Sequence, residues 1–183
     1  KNEAMVFNVT FAATLLLPME FAIYLGVLLS LVLYLRRTSK PNITALASSS
    51  GAKKLVGAER SGLPECEAIK IIRIDGALFF GAVDYVQTAL MAIPQKHVLI
   101  VASGINFIDL AGTELLANEA RRLAAIGGGL YLCNLNGRVI KPIIRNGQLN
   151  TIGKRHIFAT KAQALSAIDT KLRDHSCSGC ENR

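Results

Sequence analysis

The stretch Val98-Leu99-Ile100-Val101-Ala102-Ser103-Gly104-Ile105-Asn106-Phe107-Ile108-Asp109-Leu110-Ala111-Gly112-Thr113-Glu114-Leu115-Leu116 decides the fold, because a buried strand passes in it through a loop into a helix. Residues 98–102 are apolar at every position. That suits a strand covered on both faces, as in a mostly parallel sheet, rather than a one-sided hairpin strand. From Asp109 the pattern changes, and Leu115, Leu116, Ala120, Leu123 and Ala124 recur at three- and four-residue steps, the mark of a helix with one buried face. Asp109 is the expected N-cap: its carboxylate accepts from free first-turn amides, and its charge suits the positive end of the helix dipole. Residues 104–109 are read as the loop between the two. Such loops lie where ligands and partners dock on α/β sheets, but a capping Asp109 already uses the amides a small anion would need. For a protein partner the residues leave the question open, and Asn106, Phe107, Asp109, Leu110 and Thr113 are the candidate residues to meet one.

The flanks repeat the alternation. Residues 69–74 are a β-branched strand that Asp75-Gly76 should end in a turn, and Val83, Val86, Leu90 and Ile93 mark a helix that stops before Pro94. Gly127-Gly128-Gly129 closes the central helix and opens a strand over 130–135; it has neither the Lys-Ser/Thr of a phosphate loop nor dinucleotide spacing. A helix over 139–145 should be short or bent at Pro142 and stop at Gly147. A short strand over 157–159 precedes Thr160-Lys161-Ala162-Gln163, a capping box that starts a helix with Leu165, Ile168 and Leu172 on one face. The fold class is α/β, with a mainly parallel or mixed sheet and flanking helices.

The N-terminal part differs. The chain of 183 residues has a mean hydropathy of +0.35, with the apolar excess before Arg36. Residues 5–35 carry one charge, Glu20, and break at Pro18 into two pieces, read as two short membrane helices folded back on each other. Residues 21–35 would span only about 22 Å of a roughly 30 Å hydrocarbon core. Glu20 at one end, with Arg36 and Arg37 at the other, then serve as interfacial anchors. Gly26 and Ser30 have the small-x-x-x-small spacing that lets another helix approach. The expected organisation is 1–37 membrane helices, 38–64 a linker with an edge strand near 43–46, 65–174 the α/β domain and 175–183 a flexible tail. A chain that opens on Lys1 reads as a fragment or processed product.

The formal net charge is +8, but the basic residues are scattered and Trp is absent, which argues against nucleic acid. The cluster Arg36, Arg37, Lys40, Lys53, Lys54 and Arg60 follows the apolar run, as on the cytoplasmic side of a membrane. Cys66 and Cys133 read as reduced cytosolic thiols. His175, Cys177 and Cys180 are one ligand short of a structural zinc site, so no metal and no cofactor is expected. His97 and His156 have no motif partners, and no nucleophile or base can be named, so the chain is not read as an enzyme.

Two sets of residues resemble a known family. Val6-Phe7-Asn8-Val9-Thr10-Phe11-Ala12-Ala13-Thr14-Leu15 and Glu20-Phe21-Ala22-Ile23-Tyr24-Leu25-Gly26-Val27-Leu28-Leu29-Ser30 resemble the last two membrane helices of sulfate permease (SulP) anion transporters. Arg73-Ile74-Asp75-Gly76-Ala77-Leu78-Phe79-Phe80-Gly81 and Ile105-Asn106-Phe107-Ile108-Asp109-Leu110-Ala111-Gly112 resemble their cytoplasmic STAS domain. The resemblance implies the end of a transporter of sulfate, bicarbonate or a related anion, in a multi-pass inner or plasma membrane. Its path is formed by earlier helices, and its STAS domain regulates, stabilises or dimerises it. It also implies contacts with membrane lipid, with the rest of the membrane domain, with a second copy and with a regulatory protein. In the anti-sigma antagonists of the wider group a phosphorylated serine follows the Asp that corresponds to Asp109. Here that position is Leu110, so the phosphoswitch does not carry over. The alternative is a membrane-tethered STAS signalling module with no transport role.

Overall fold

A computed structural model describes residues 2–16, 18–48, 55–57 and 68–173. The chain divides into two units, Lys1–Lys40 and Pro41–Arg183. In the first, α1 (Asn2–Leu16) and α2 (Met19–Thr38) flank Pro18, whose carbonyl accepts from the amides of Phe21 and Ala22. The two helices pack where side chains are small: Ala13 and Ala22 are buried, and a Cβ on Gly26 would lie 3.1 Å from Thr10 Cγ2. Gly26 thus serves the approach of α1, while Ser30 stays exposed. Two short spans were expected. Among the described residues only one helix is long and apolar enough to cross a membrane, Met19–Arg36, with a mean hydropathy of 1.7. The 20 residues of α2 extend about 30 Å, because the helix runs beyond residues 21–35 at both ends. The 15 residues of α1 reach only about 22 Å.

In the second unit the central strand β4 (His97–Val101) explains its own sequence. Val98 and Ile100 point into one core, Leu99 and Val101 into another, and all four are fully buried. Its neighbours are β3 (Ile69–Leu78) and β6 (Gly129–Cys133), both parallel to it, and β6 pairs in parallel with β7 (Ile157–Phe158). On the other side β1 (Asn42–Ser48) runs antiparallel to β3 and pairs with β2 (Leu55–Gly57), giving the order β2-β1-β3-β4-β6-β7. The strand foreseen inside a linker is therefore part of the sheet, which begins at residue 42 rather than 65. Ile43 and Leu46 of β1 contribute to the two opposite cores.

The first core is roofed by α3 (Val83–Met91), α4 (Leu110–Ala125), α5 (Gly137–Arg145) and the single turn α6 (Leu149–Ile152). The second is covered by α7 (Lys161–Arg173) through Ala164 and Ile168. Gly128 donates to the Leu123 carbonyl five residues back and closes α4. Asn136 caps α5, accepting from the amides of Arg138 and Val139, and the helix runs three residues past Pro142 before Gly147, at φ +71°, ends it. Thr160 Oγ accepts from the Gln163 amide at the start of α7.

Two expectations fail at the carboxyl end of β3. Asp75-Gly76 is not a turn: the strand continues to Leu78, and Gly76 takes φ +136° in a bulge between Gly76 and Ala77. Past the bulge β3 exchanges β4 for a different parallel partner, β5 (Ile105–Ile108), so residues expected to form a loop are a short strand. A 3-10 turn, Ala102–Gly104, links β4 to β5.

Candidate functional site

The corner where β3 and β5 end and α3 and α4 begin is tied together by Asp109. Its backbone amide donates to the Leu78 carbonyl (3.1 Å). Carboxylate Oδ1 accepts from the Gly112 amide (2.8 Å), the expected cap, and Oδ2 accepts from the Phe80 amide (3.0 Å) just before α3. One side chain thus fixes the starts of two helices, with both oxygens occupied by backbone donors. Gly112 is buried under the Leu78 carbonyl, where a Cβ would collide with the oxygen. A clip on the far side completes the corner: Asn136 Nδ2 donates to the Ile105 carbonyl (2.8 Å), joining β5 to the start of α5.

The predicted partner residues separate into two groups. Asn106, Phe107 (54% exposed) and Leu110 (56% exposed) face solvent. Thr113 does not: it is fully buried, its hydroxyl donating to the Leu110 carbonyl and accepting from Asn146 Nδ2 (3.0 Å). Its position one turn into α4 aims it at the loop after α5, so it holds the fold and cannot touch a partner. The residue missed is Phe80, 81% exposed, which the Asp109 link brings beside Leu110's helix start. The signal available was Phe79-Phe80-Gly81, two aromatics at the end of a strand with only one able to face the core.

Behind this corner a groove of about 420 Å³ runs between α3 and α4, lined by Phe80, Val83, Met91 and Leu115, with Glu119 and Arg122 at its edge. Glu119 is 4% exposed, and Arg122 grips both of its oxygens at 2.6 and 2.9 Å. That hydrogen bond raises the Arg122 pKa above its already high ordinary value.

The remaining expected groups lie elsewhere. Cys133 is buried in β6, where desolvation pushes its thiol up to about 11, so it stays protonated at neutral pH. His97 and His156 flank buried Tyr131, whose hydroxyl is 3.4 Å from His97 Nδ1 and whose ring lies 4.7 Å from that of His156. Cys66, His175, Cys177 and Cys180 lie outside the described residues, as does the Arg37 side chain. Glu20 and Arg36 are exposed near opposite ends of α2. Among the described residues no group of three or more His, Cys, Asp or Glu could hold a metal.

Fold and corner together define a small α/β domain with exposed apolar side chains at one corner, joined in sequence to an apolar helix pair. The chain belongs to the STAS domain family, whose model matches residues 62–164. It is 25% identical over 159 residues to YvdB of Bacillus subtilis (strain 168), named a putative sulfate transporter, covering 85% of this chain and 28% of that protein. Murine Slc26a9, an anion transporter solved in the inward-facing state, superposes with a TM-score of 0.84 at 21% identity, over 93% of this chain and 29% of that one. An anti-sigma factor antagonist from Mycobacterium paratuberculosis shares the fold at 16% identity and a TM-score of 0.52, over 70% of this chain and 95% of its own. The chain spans little more than a quarter of the length of the curated relatives it matches.

Proposed function

We propose that this chain is the end of an anion transporter, in which α2 spans the membrane, α1 packs beside it, and a cytoplasmic STAS domain regulates, stabilises or dimerises the whole. The observation that carries this reading is the direct succession of parts: only residues 39–41 separate an apolar helix of spanning length from the first strand of a STAS sheet. Glu20 and Arg36, 16 positions and so about 24 Å apart along α2, anchor its two ends at the interfaces. The transported species is sulfate, bicarbonate or a related anion. Phe80, Asn106, Phe107 and Leu110 form the surface that a regulatory protein contacts, with Asp109 holding them in place rather than binding. A tethered signalling module without transport would use the same surface.

The test is a pair of chains, residues 5–183 and 41–183. The longer should remain in membranes after an alkaline carbonate wash and the shorter should be soluble. Equal solubility would defeat the membrane reading. Transport and signalling part company in a second assay: joined to its membrane domain, the chain should alter anion uptake when Phe107 and Leu110 are changed to Ser, whereas a pure signalling module would leave uptake untouched.

A further inference from the structure

The chain's positive charge is not spread evenly. Between residues 120 and 168 there are eight Lys and Arg and no Asp or Glu, a local charge equal to the +8 of the whole chain. The fold turns part of this run into a face. On α5, Val139 and Ile143 are buried in the first core. At 100° per residue Arg138, Lys141 and Arg145 then fall within a 60° arc on the outer side, and all three are exposed. Ile144, 54% exposed, sits at the edge of that arc. Lys154 and Arg155, also exposed, follow on the 3-10 turn Lys154–His156. None of these five cations forms an ion pair with a described residue; the pairs Arg73–Asp75 and Arg122–Glu119 lie elsewhere.

A face of this kind attracts an anionic surface, and its composition selects among the candidates. No aromatic residue lies between 138 and 155, so the stacking platforms of single-stranded nucleic-acid binders are missing from this segment. The cations supply attraction to anionic lipid headgroups, and the exposed Ile144 beside them adds one apolar contact with the headgroup layer. Resting on the membrane reading above, the three-residue connection to α2 holds the domain beside such a layer, so weak contacts suffice at the resulting local concentration. We infer that the outer face of α5, with the turn at Lys154 and Arg155, docks on anionic lipid headgroups of the membrane that α2 crosses. Ile144 enters the headgroup layer, and docking fixes the domain's orientation against the bilayer.

The absence of tryptophan supplies the probe. Ile144→Trp in the full chain, reconstituted into vesicles, gives one emission that reports this face alone. In phosphatidylcholine with about one-third phosphatidylglycerol the emission should shift to the blue and be quenched by brominated acyl chains, and in phosphatidylcholine alone it should do neither. Salt at about 1 M, where the Debye length is near 3 Å, should reverse the shift. Adding Arg138→Gln, Lys141→Gln and Arg145→Gln should lower the docked-to-undocked ratio about a hundredfold, roughly fivefold per cation. Lys154→Gln with Arg155→Gln, outside the helix, should lower it less and guards against misfolding of the triple variant. Identical emission in the two vesicle types, or a shift that survives all five substitutions, would overturn the proposal. So would a shift produced by polyglutamate but not by anionic vesicles, which would assign the face to an acidic protein. Carbonate-resistant flotation with phosphatidylcholine vesicles reads α2 insertion separately, so its loss defeats the membrane reading and loss of the shift alone defeats the docking.

Discussion

Replacing Asp109 by Ala tests whether its carboxylate holds the corner together. Two amides would lose their acceptor. The Gly112 amide is buried beneath the Leu78 carbonyl, where water has little access, so that charge-assisted bond is worth about 1 to 2 kcal/mol. The Phe80 amide lies at an exposed residue and can turn to water, so its share is about 0.5 kcal/mol. The expected loss is about 2 kcal/mol. Asp109→Asn keeps one acceptor for Gly112 but sets an amide donor against the Phe80 donor, and should lose about half as much. Leu110→Ser, one residue on, removes an exposed side chain and should change stability by less than about 0.5 kcal/mol. Urea unfolding of residues 41–183, followed by circular dichroism and extrapolated linearly, gives all three values. A chain starting at residue 65 would omit β1. The reasoning is refuted if Asp109→Ala costs under about 0.5 kcal/mol while Leu110→Ser costs 2 or more, because Leu110 would then be packed and the cap idle.

Three further outcomes follow from the same geometry. Gly112→Ala should cost more than about 3 kcal/mol, since its Cβ meets backbone at Leu78, whereas Gly137→Ala, with nothing within 4 Å, should gain about 0.5 kcal/mol in the same unfolding assay. Arg122→Ala leaves Glu119 buried without its partner and should destabilise by about 1 to 3 kcal/mol, well beyond Glu119→Gln, which frees a guanidinium that is one-third exposed; paired melts of the two variants settle the order. Cys133 has its pKa raised by folding from 9.0 to about 11, so the unfolded chain gives up this proton first as pH rises. Stability should fall by about 2 to 3 kcal/mol between those values and be unaffected at neutral pH, and Cys133→Ala should remove most of that slope in denaturant titrations from pH 7 to 11.

The sequence was readable where burial was two-sided or a cap was local. β4 announces itself because each of its central side chains enters one of two cores, and Asp109 because its acceptors lie within one turn. What escaped depends on distance. Asp75-Gly76 has the composition of a turn, and only the Pro41 side chain on one side and β5 on the other make it a bulge in a continuing strand. Residues 105–108 are buried only at their ends, too short a pattern to separate from a loop. Thr113 looked like a surface hydroxyl because Asn146, its partner, is 33 residues away. Phe80 joined the corner through an equally remote bond to Asp109. The cationic face was hidden by adding charge over the whole chain, since the acids of the described α/β domain, Asp169 apart, lie before Ala120.

Gly76 also matters as a mechanical element. Pro41 is buried against it, with Asn42 paired opposite Asp75, so the first residues after α2 press on the point where β3 changes partner. The connection from Ser39 to Pro41 can extend no more than about 10 Å. A displacement of Pro41 must either be taken up as a change of dihedral angle at Gly76 or be delivered two residues on, at Leu78. There the carbonyl receives the Asp109 amide and lies over Gly112, the footing of the exposed corner. Stiffening that joint, as Gly76→Ala would by opposing a φ of +136°, removes the first of these two options.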